Sequence, residues 1–149
     1  SMFEIIHLMN TLLPKDQPRY LMGVGRPTDL VRSVQLGIDM FDCVLPTRNA
    51  RNGQLFTSQG IINIGNKIHK EAFDQLDPNC NCYTCENFSK SYLRHLFNIK
   101  EVLGLRLATI HNLSYYMNLM GDIRKNIKEQ TFSTWSIDYL KRMNDHKGM

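Results

Sequence analysis

The chain reads as an α/β protein: two βα units of a parallel sheet come first, and a β-hairpin and helices follow. Three observations predict this. Helical and strand-like patterns alternate through residues 1–53, which is how parallel strands are laid side by side with helices packed across them. Beyond a soft boundary near residue 53, the pattern over 54–149 changes to a hairpin and then to long helical stripes. Three of the four cysteines are crowded into positions 80 to 85, a local cluster around which the second part can organise.

Phe3, Ile5, Ile6, Met9, Leu12 and Leu13 recur at the spacing of one helix face, and Pro14 ends that helix. Tyr20 to Val24 is a short apolar strand with Gly23 and Gly25 at its end, where glycine lets a ligand or another backbone approach closely. These glycines are no dinucleotide fingerprint, because a third does not follow at the needed place. Thr28 and Asp29 are suited to cap a helix that runs to about Leu36, and Gly37 stops it. Met40 to Leu45 is the next strand, an apolar run that suits a buried parallel strand. Pro46 ends it, having no N–H for the ladder. Leu55 to Thr57 and Ile61 to Ile64 flank Ser58-Gln59-Gly60 as a hairpin. A polar stretch then runs to the turn Asp77-Pro78-Asn79. Glu86 to about Leu103 is predicted as one helix broken by Gly104. Leu107, Ile110, Leu113, Met117, Met120, Ile123 and Ile127 form a long helical stripe. Phe132 to Met143 is a final short helix with a frayed tail beyond it.

With 149 residues the chain is the size of one domain and can bury a core. Its net charge of +4, from 18 basic and 14 acidic residues, is compatible with nucleic acid but does not by itself argue for it. No apolar run approaches the roughly 20 residues of a membrane span. No charged segment followed by an apolar one opens the chain, so a cytoplasmic protein without a membrane segment is expected.

Four cysteines allow two disulfides, but a reducing cytosol disfavours them. Cys80, Cys82 and Cys85 instead have the spacing C-x-C-x2-C, which lets three thiolates converge on one ion from a tight turn. Zn2+ takes a fourth ligand, and a Cys3His set closes a structural site. His111 is the candidate, near the edge of the apolar stripe. His95 is a rival, closer in sequence, and a histidine at position 111 also suits a satisfied core residue. Four protein ligands leave no position for water, so such a zinc is a staple rather than a catalyst.

Asp42 sits inside the apolar run of the second strand. A buried carboxylate is costly unless it is neutralised, paired or kept for chemistry. Arg48 and Arg51 follow in what reads as a turn rich in Asn and Gly. One reading is an anionic substrate held over a nucleophile or base; the other is a locally satisfied Asp and two solvated arginines. Cys43 points to the opposite face from Asp42 and is expected to behave as a small apolar residue.

Four stretches carry a resemblance. They are Tyr20-Leu21-Met22-Gly23-Val24-Gly25-Arg26-Pro27; Gly37 through Arg48, with Asp42-Cys43-Val44-Leu45-Pro46-Thr47 at its heart; Arg51-Asn52-Gly53-Gln54; and Cys80-Asn81-Cys82-Tyr83-Thr84-Cys85 with His111-Asn112 beyond. In order and spacing they are similar to the C-terminal part of the bacterial-type tRNA-guanine transglycosylases, and the resemblance covers nearly the whole chain. It implies that residues 1–53 are the last two βα units of a (β/α)8 TIM barrel, where chemistry sits at the C-terminal strand ends. Residues 54–149 are then a hairpin and a helical zinc-binding subdomain. The implied activity exchanges the guanine at the wobble position of tRNA for a 7-deazaguanine, preQ1 rather than queuine, in queuosine biosynthesis. Asp42 is the implied nucleophile, forming a covalent ribosyl intermediate in a double displacement.

The same resemblance implies RNA contacts from Gly23, Val24, Gly25, Arg26, Pro27, Thr28 and Asp29, and from Thr47, Arg48, Asn49, Ala50 and Arg51. Met22 and Gly23 line the implied base pocket. Cys80, Cys82, Cys85 and His111 bind one structural Zn2+ per chain, which selects His111 over His95. The implied partners are the tRNA anticodon loop, the preQ1 base and a second copy in a homodimer. In the family the acid/base and base-reading carboxylates lie on earlier strands, and they have no counterpart here. The chain alone is therefore expected to be catalytically silent. The competing expectation is a zinc-stapled RNA-binding or dimerisation module without catalysis, which a longer reading frame containing the missing strands would exclude.

Overall fold

The computed structural model describes residues 1–145. Ser1 caps the first helix, α1 (Met2–Leu12), in a capping box with Glu4, so two otherwise unpaired N–H groups are satisfied. Ile6 is its one buried residue, while Ile5, Leu8 and Leu12 are exposed. Then come β1 (Tyr20–Met22), α2 (Pro27–Gln35) and β2 (Met40–Asp42). The two strands pair in parallel, with Met22 opposite Asp42. The predicted alternation is present, but both strands are shorter than expected.

The reason for the shorter β2 lies just beyond it. The chain turns at Cys43 and Val44 into α3 (Leu45–Arg51). Pro46 does not end the strand, which stops at Asp42; it sits in the first turn of this helix, where a missing N–H costs nothing. The expected Asn/Gly turn at 47–51 is therefore helical. On α2, Pro27 takes the same early position and Arg26 is the N-cap, without a side-chain bond. Thr28 and Asp29 fall inside the first turn rather than at the cap, and Asp29 there faces the positive end of the helix dipole.

The hairpin forms as read, from β3 (Gln54–Thr57) and β4 (Gly60–Asn63), antiparallel with Leu55 opposite Ile62. The helix expected over 86–103 is instead two, α4 (Tyr83–Asn87) and α5 (Lys90–Asn98). Phe88 is extended, and Ser89 caps α5 by accepting from the Tyr92 N–H. The break before α6 (Val102–Lys128) falls at Lys100, with φ of 57°, not at Gly104. Gly104 lies inside α6, where an added Cβ would come within 3.0 Å of Leu96 Cβ and 3.3 Å of Phe97 Cδ2. It is a close-packing residue that lets α5 and α6 touch. The last helix, α7 (Phe132–Asp145), follows; the expected frayed tail falls partly on residues 146–149, outside those described.

Two cores share the hairpin as a wall. Leu55 enters a cluster with Ala50, Ile64, Leu76, Leu93, Leu96 and Leu107. Its neighbour Phe56 points to the other face and enters a cluster with Leu30, Val31, Tyr116, Leu119, Ile123 and Tyr139. The second cluster joins α2 to α6 and α7. The buried seam of α6 runs through Leu107, His111, Asn112, Tyr116, Leu119 and Ile123, whereas Leu113, Met117 and Ile127 of the predicted stripe are exposed. A long helix with apolar residues on more than one face buries only the face that the hairpin and neighbouring helices cover. Among the described residues, no helix is long and apolar enough to cross a membrane.

Candidate metal centre and carboxylate at the strand end

Alternation along paired strands places Tyr20, Met22, Met40 and Asp42 on one face, and all four are exposed. Asp42 is thus not the buried carboxylate that the apolar run suggested. Its Oδ1 accepts from the Tyr20 hydroxyl at 2.7 Å and from the Gly23 N–H at 3.2 Å. The Tyr20 bond, then the Gly23 bond, holds its pKa below the ordinary carboxylate value, so the group is an anion at neutral pH. Among the described residues Oδ2 has no hydrogen-bond partner. Tyr20 escaped notice as a site residue in the sequence; the strand register, with Tyr20 opposite Met40, is the signal that brings it to Asp42.

Gly23 has φ of 71°, a conformation that favours glycine, with open space where a Cβ would be. At Gly25 an added Cβ would collide with the Cys43 side chain. Cys43 is half-buried against the second core, as a small apolar residue would be.

Arg26 is exposed at the start of α2, and Pro27 is buried. Arg48 and Arg51 stand one turn apart on α3, both exposed, and neither forms an ion pair among the described residues. Thr47 bonds back to the Val44 carbonyl, Asn49 bonds Gln54, and Ala50 is wholly buried in the first core. Within the 47–51 segment, the two arginines are the groups that project to solvent. Their helix is held from beneath by Asn112, which is fully buried on α6. Asn112 Nδ2 donates to the carbonyls of Pro46 and Gln54, each at 3.0 Å, and Oδ1 accepts from the Phe56 N–H at 3.1 Å. From sequence, Asn112 stands out only as a neighbour of His111.

His111 is one residue away on the same helix. Its Nδ1 lies 3.8, 3.6 and 3.3 Å from the sulfurs of Cys80, Cys82 and Cys85. All four side chains are buried, and their ligand atoms lie within 4.8 Å of one another. A tetrahedral zinc with ordinary bond lengths separates sulfur from nitrogen by about 3.5 Å, so the cluster fits such an ion. The Nε2 side of His111 meets the Phe56 carbonyl at 2.7 Å. With the proton placed there, Nδ1 is left as a lone-pair donor toward the sulfurs, the usual outer partner of a metal-bound histidine. His95 is exposed on α5 and takes no part.

The electrostatics fit a cation as well. The Cys82 thiol is held down to about 3, chiefly by the Cys85 thiol and against burial, with His111 and the Cys85 N–H assisting. Cys85 is pushed up by its bond to Cys82 and by burial. Burial pulls the His111 imidazolium down, but Cys80, Cys82 and the Phe56 carbonyl reverse this and bring it to about 9. A metal-free pocket therefore retains protons that an arriving ion would displace. Asp77, read from sequence only as a turn residue, proves to be buried. Its carboxylate accepts from the N–H and hydroxyl of Ser58, each at 2.6 Å, and from the Asn79 N–H at 2.9 Å. It ties the hairpin tip to the loop that leads into Cys80.

Comparison with known proteins identifies the family. The family model for queuine tRNA-ribosyltransferase matches residues 1–145. Queuine tRNA-ribosyltransferases of Francisella tularensis, from subsp. tularensis strain WY96-3418 and subsp. holarctica strain LVS, are each 59% identical over 94% of this chain. The same enzyme of subsp. novicida strain U112 has the same identity over the same share. The chain spans 38% of the length of each of these relatives. The chain belongs to the queuine tRNA-ribosyltransferase family.

Proposed function

We propose that this chain is the C-terminal, nucleophile-bearing part of a cytoplasmic bacterial tRNA-guanine transglycosylase, and that β1 and β2 are the last two strands of its barrel. The single observation that carries the proposal is the exposed, ionised Asp42 at the C-terminal end of a parallel strand, with Oδ2 unpartnered. Oδ2 attacks C1′ of the wobble ribose, and the C1′–N9 bond breaks as guanine leaves with its electron pair. The incoming preQ1, deprotonated at N9, attacks C1′ and releases the carboxylate. Two inversions retain configuration. The acid and base that move the protons belong to the missing strands.

Several features support RNA as the substrate. Arg26, Arg48 and Arg51 are exposed beside the strand ends, where they can meet backbone phosphates or base edges. The target base must leave its stack to reach Asp42, and Met22 and Gly23 stand beside that carboxylate. Zn2+, bound by Cys80, Cys82, Cys85 and His111, is structural. It holds the α4 turn to α6 and, through His111, to β3. A homodimer is the proposed assembly.

The test is guanine exchange into unmodified tRNA by a longer protein that contains this segment and the preceding strands. Asp42→Asn should abolish exchange and leave the melting temperature unchanged, since the amide is nearly isosteric but is not an anionic nucleophile. Retained exchange would remove Asp42 from that role. The alternative of a non-catalytic zinc-stapled module predicts RNA binding or association without exchange in any length of the protein.

A further inference from the structure

With only seven residues, α3 is too short to hold its own geometry in water. Its N-cap, Val44, makes no side-chain bond. Where this helix stands is therefore set from outside it. At its C-terminal end the Gly53 N–H donates to the Ala50 carbonyl at 2.9 Å, and the Gly53 carbonyl accepts from the Ile64 N–H at 2.8 Å, which ties that end to the hairpin. Asn112 ties the first turn, through the Pro46 carbonyl.

The same amide fixes β3. Gln54 and Phe56 lie two apart on that strand, so their outward backbone groups point the same way, toward α6. Asn112 takes the Gln54 carbonyl and the Phe56 N–H, and His111 takes the Phe56 carbonyl. Both hydrogens of Asn112 Nδ2 are thus used, and its Oδ1 as well, on a side chain that is fully buried. This amide has one orientation, because turning it over would set its oxygen against two carbonyls and its NH2 against an N–H. Ala50 also anchors α3, by burial in the first core, but apolar contact is not directional and leaves a short helix free to slide. The Asn112 bonds are directional and remove that freedom.

Arg48 and Arg51 extend from α3 to solvent, and neither has an ion pair among the described residues. With no carboxylate to steer them there, their direction follows from the helix that carries them. We infer that Asn112 is a positioning residue for RNA: by fixing the first turn of α3 against α6 and β3, it sets the reach of Arg48 and Arg51. The inference rests on the reading of those two arginines as RNA contacts.

The test is binding of a synthetic anticodon stem-loop RNA to the zinc-loaded 149-residue chain over a range of salt concentrations, at a temperature where each variant is folded. Asn112→Leu should weaken binding about tenfold near about 0.1 M salt and flatten the salt slope, as lost phosphate contacts do, with unchanged zinc content. Asn112→Gln keeps the amide and adds one methylene, and it serves as the milder variant if Asn112→Leu does not fold. It should move both quantities in the same direction by a smaller factor. In a chain that already carries Arg48→Ala and Arg51→Ala, neither substitution of Asn112 should weaken binding further, since a residue that acts through the arginines then has nothing left to position. A merely structural Asn112 lowers the melting temperature alone. Wild-type affinity and salt slope in the folded variants, or losses that add to those of the arginines, would overturn the inference while leaving the RNA-facing reading in place. Failure of the wild-type chain to bind the RNA, or wild-type binding by the double arginine variant, would overturn that reading of the arginines and the inference with it.

Discussion

The Tyr20 hydroxyl and the Asp42 carboxylate meet at 2.7 Å, joining the first residue of β1 to the last of β2 on the exposed face of the pair. This bond, more than any neighbouring charge, keeps Asp42 ionised below its ordinary pKa of 3.8. A carboxylate whose folded pKa is depressed stabilises the fold above its unfolded pKa, and the contribution is lost as pH falls through the folded value. Tyr20→Phe should therefore raise the Asp42 midpoint, measured by carboxyl NMR titration, and move the acid limb of stability to higher pH. An unchanged midpoint would mean that the Gly23 N–H alone sets it.

Arg48 and Arg51 project from α3 without ion-pair partners among the described residues. Replacing both by Ala should weaken RNA binding and flatten its dependence on salt, because each lost phosphate contact removes about one counterion's share of the slope. Helix content and zinc stoichiometry should not move. Equal affinity and equal salt slope in the double variant would show that both side chains are merely solvated.

Metal analysis should find one zinc per chain, bound at Cys80, Cys82, Cys85 and His111. Since His111 holds a proton up to about 9 in the metal-free pocket, zinc binding at neutral pH should release protons, detectable with an indicator dye, and affinity should climb with pH. Acid should release the ion as thiolates protonate. Cys82→Ala should abolish stoichiometric binding and make the region from Cys80 to His111 the first to lose amide protection.

Asn112 bridges α6, α3 and β3 with three bonds from one buried amide. Asn112→Leu removes these partners from the Pro46 and Gln54 carbonyls and the Phe56 N–H. At about 1–3 kcal/mol for each unpaired buried group, offset in part by relaxation, a loss of roughly 2–4 kcal/mol is expected from urea unfolding. Asn112→Asp should be at least as damaging, because it sets a carboxylate against two carbonyls. A loss below about 1 kcal/mol in both would show that other groups or water satisfy the backbone there.

The chain by itself should show no guanine exchange. Tyr20, Met22 and Met40 lie exposed on the same face as Asp42, so among the described residues no closed pocket surrounds the carboxylate. Positioning can supply about 7–11 kcal/mol of a barrier, and most of that is missing here. Amides of β1 and β2 should exchange with solvent faster than those of β3 and α6. Robust exchange by the isolated chain would place the active site elsewhere.

Local chemistry alone determined the alternation of helix and strand through Asp42, the hairpin, the last two helices and the triad of cysteines, because periodicity, turn residues and thiol spacing act over a few positions. Local chemistry also misled. Pro46 signalled the stop of a strand that in fact ends at Asp42, because Pro46 opens the first turn of α3, and Gly104 signalled a break that the packing of α5 on α6 converted into a contact. Tertiary structure alone decided what depends on residues far apart. It brought His111 to the cysteines, a choice that the family resemblance implies but the spacing leaves open, put Asn112 beneath α3, and set Tyr20 on Asp42. It also chose which face of α6 to bury. Each of these rests on a pairing across the fold that no window of neighbouring residues encodes.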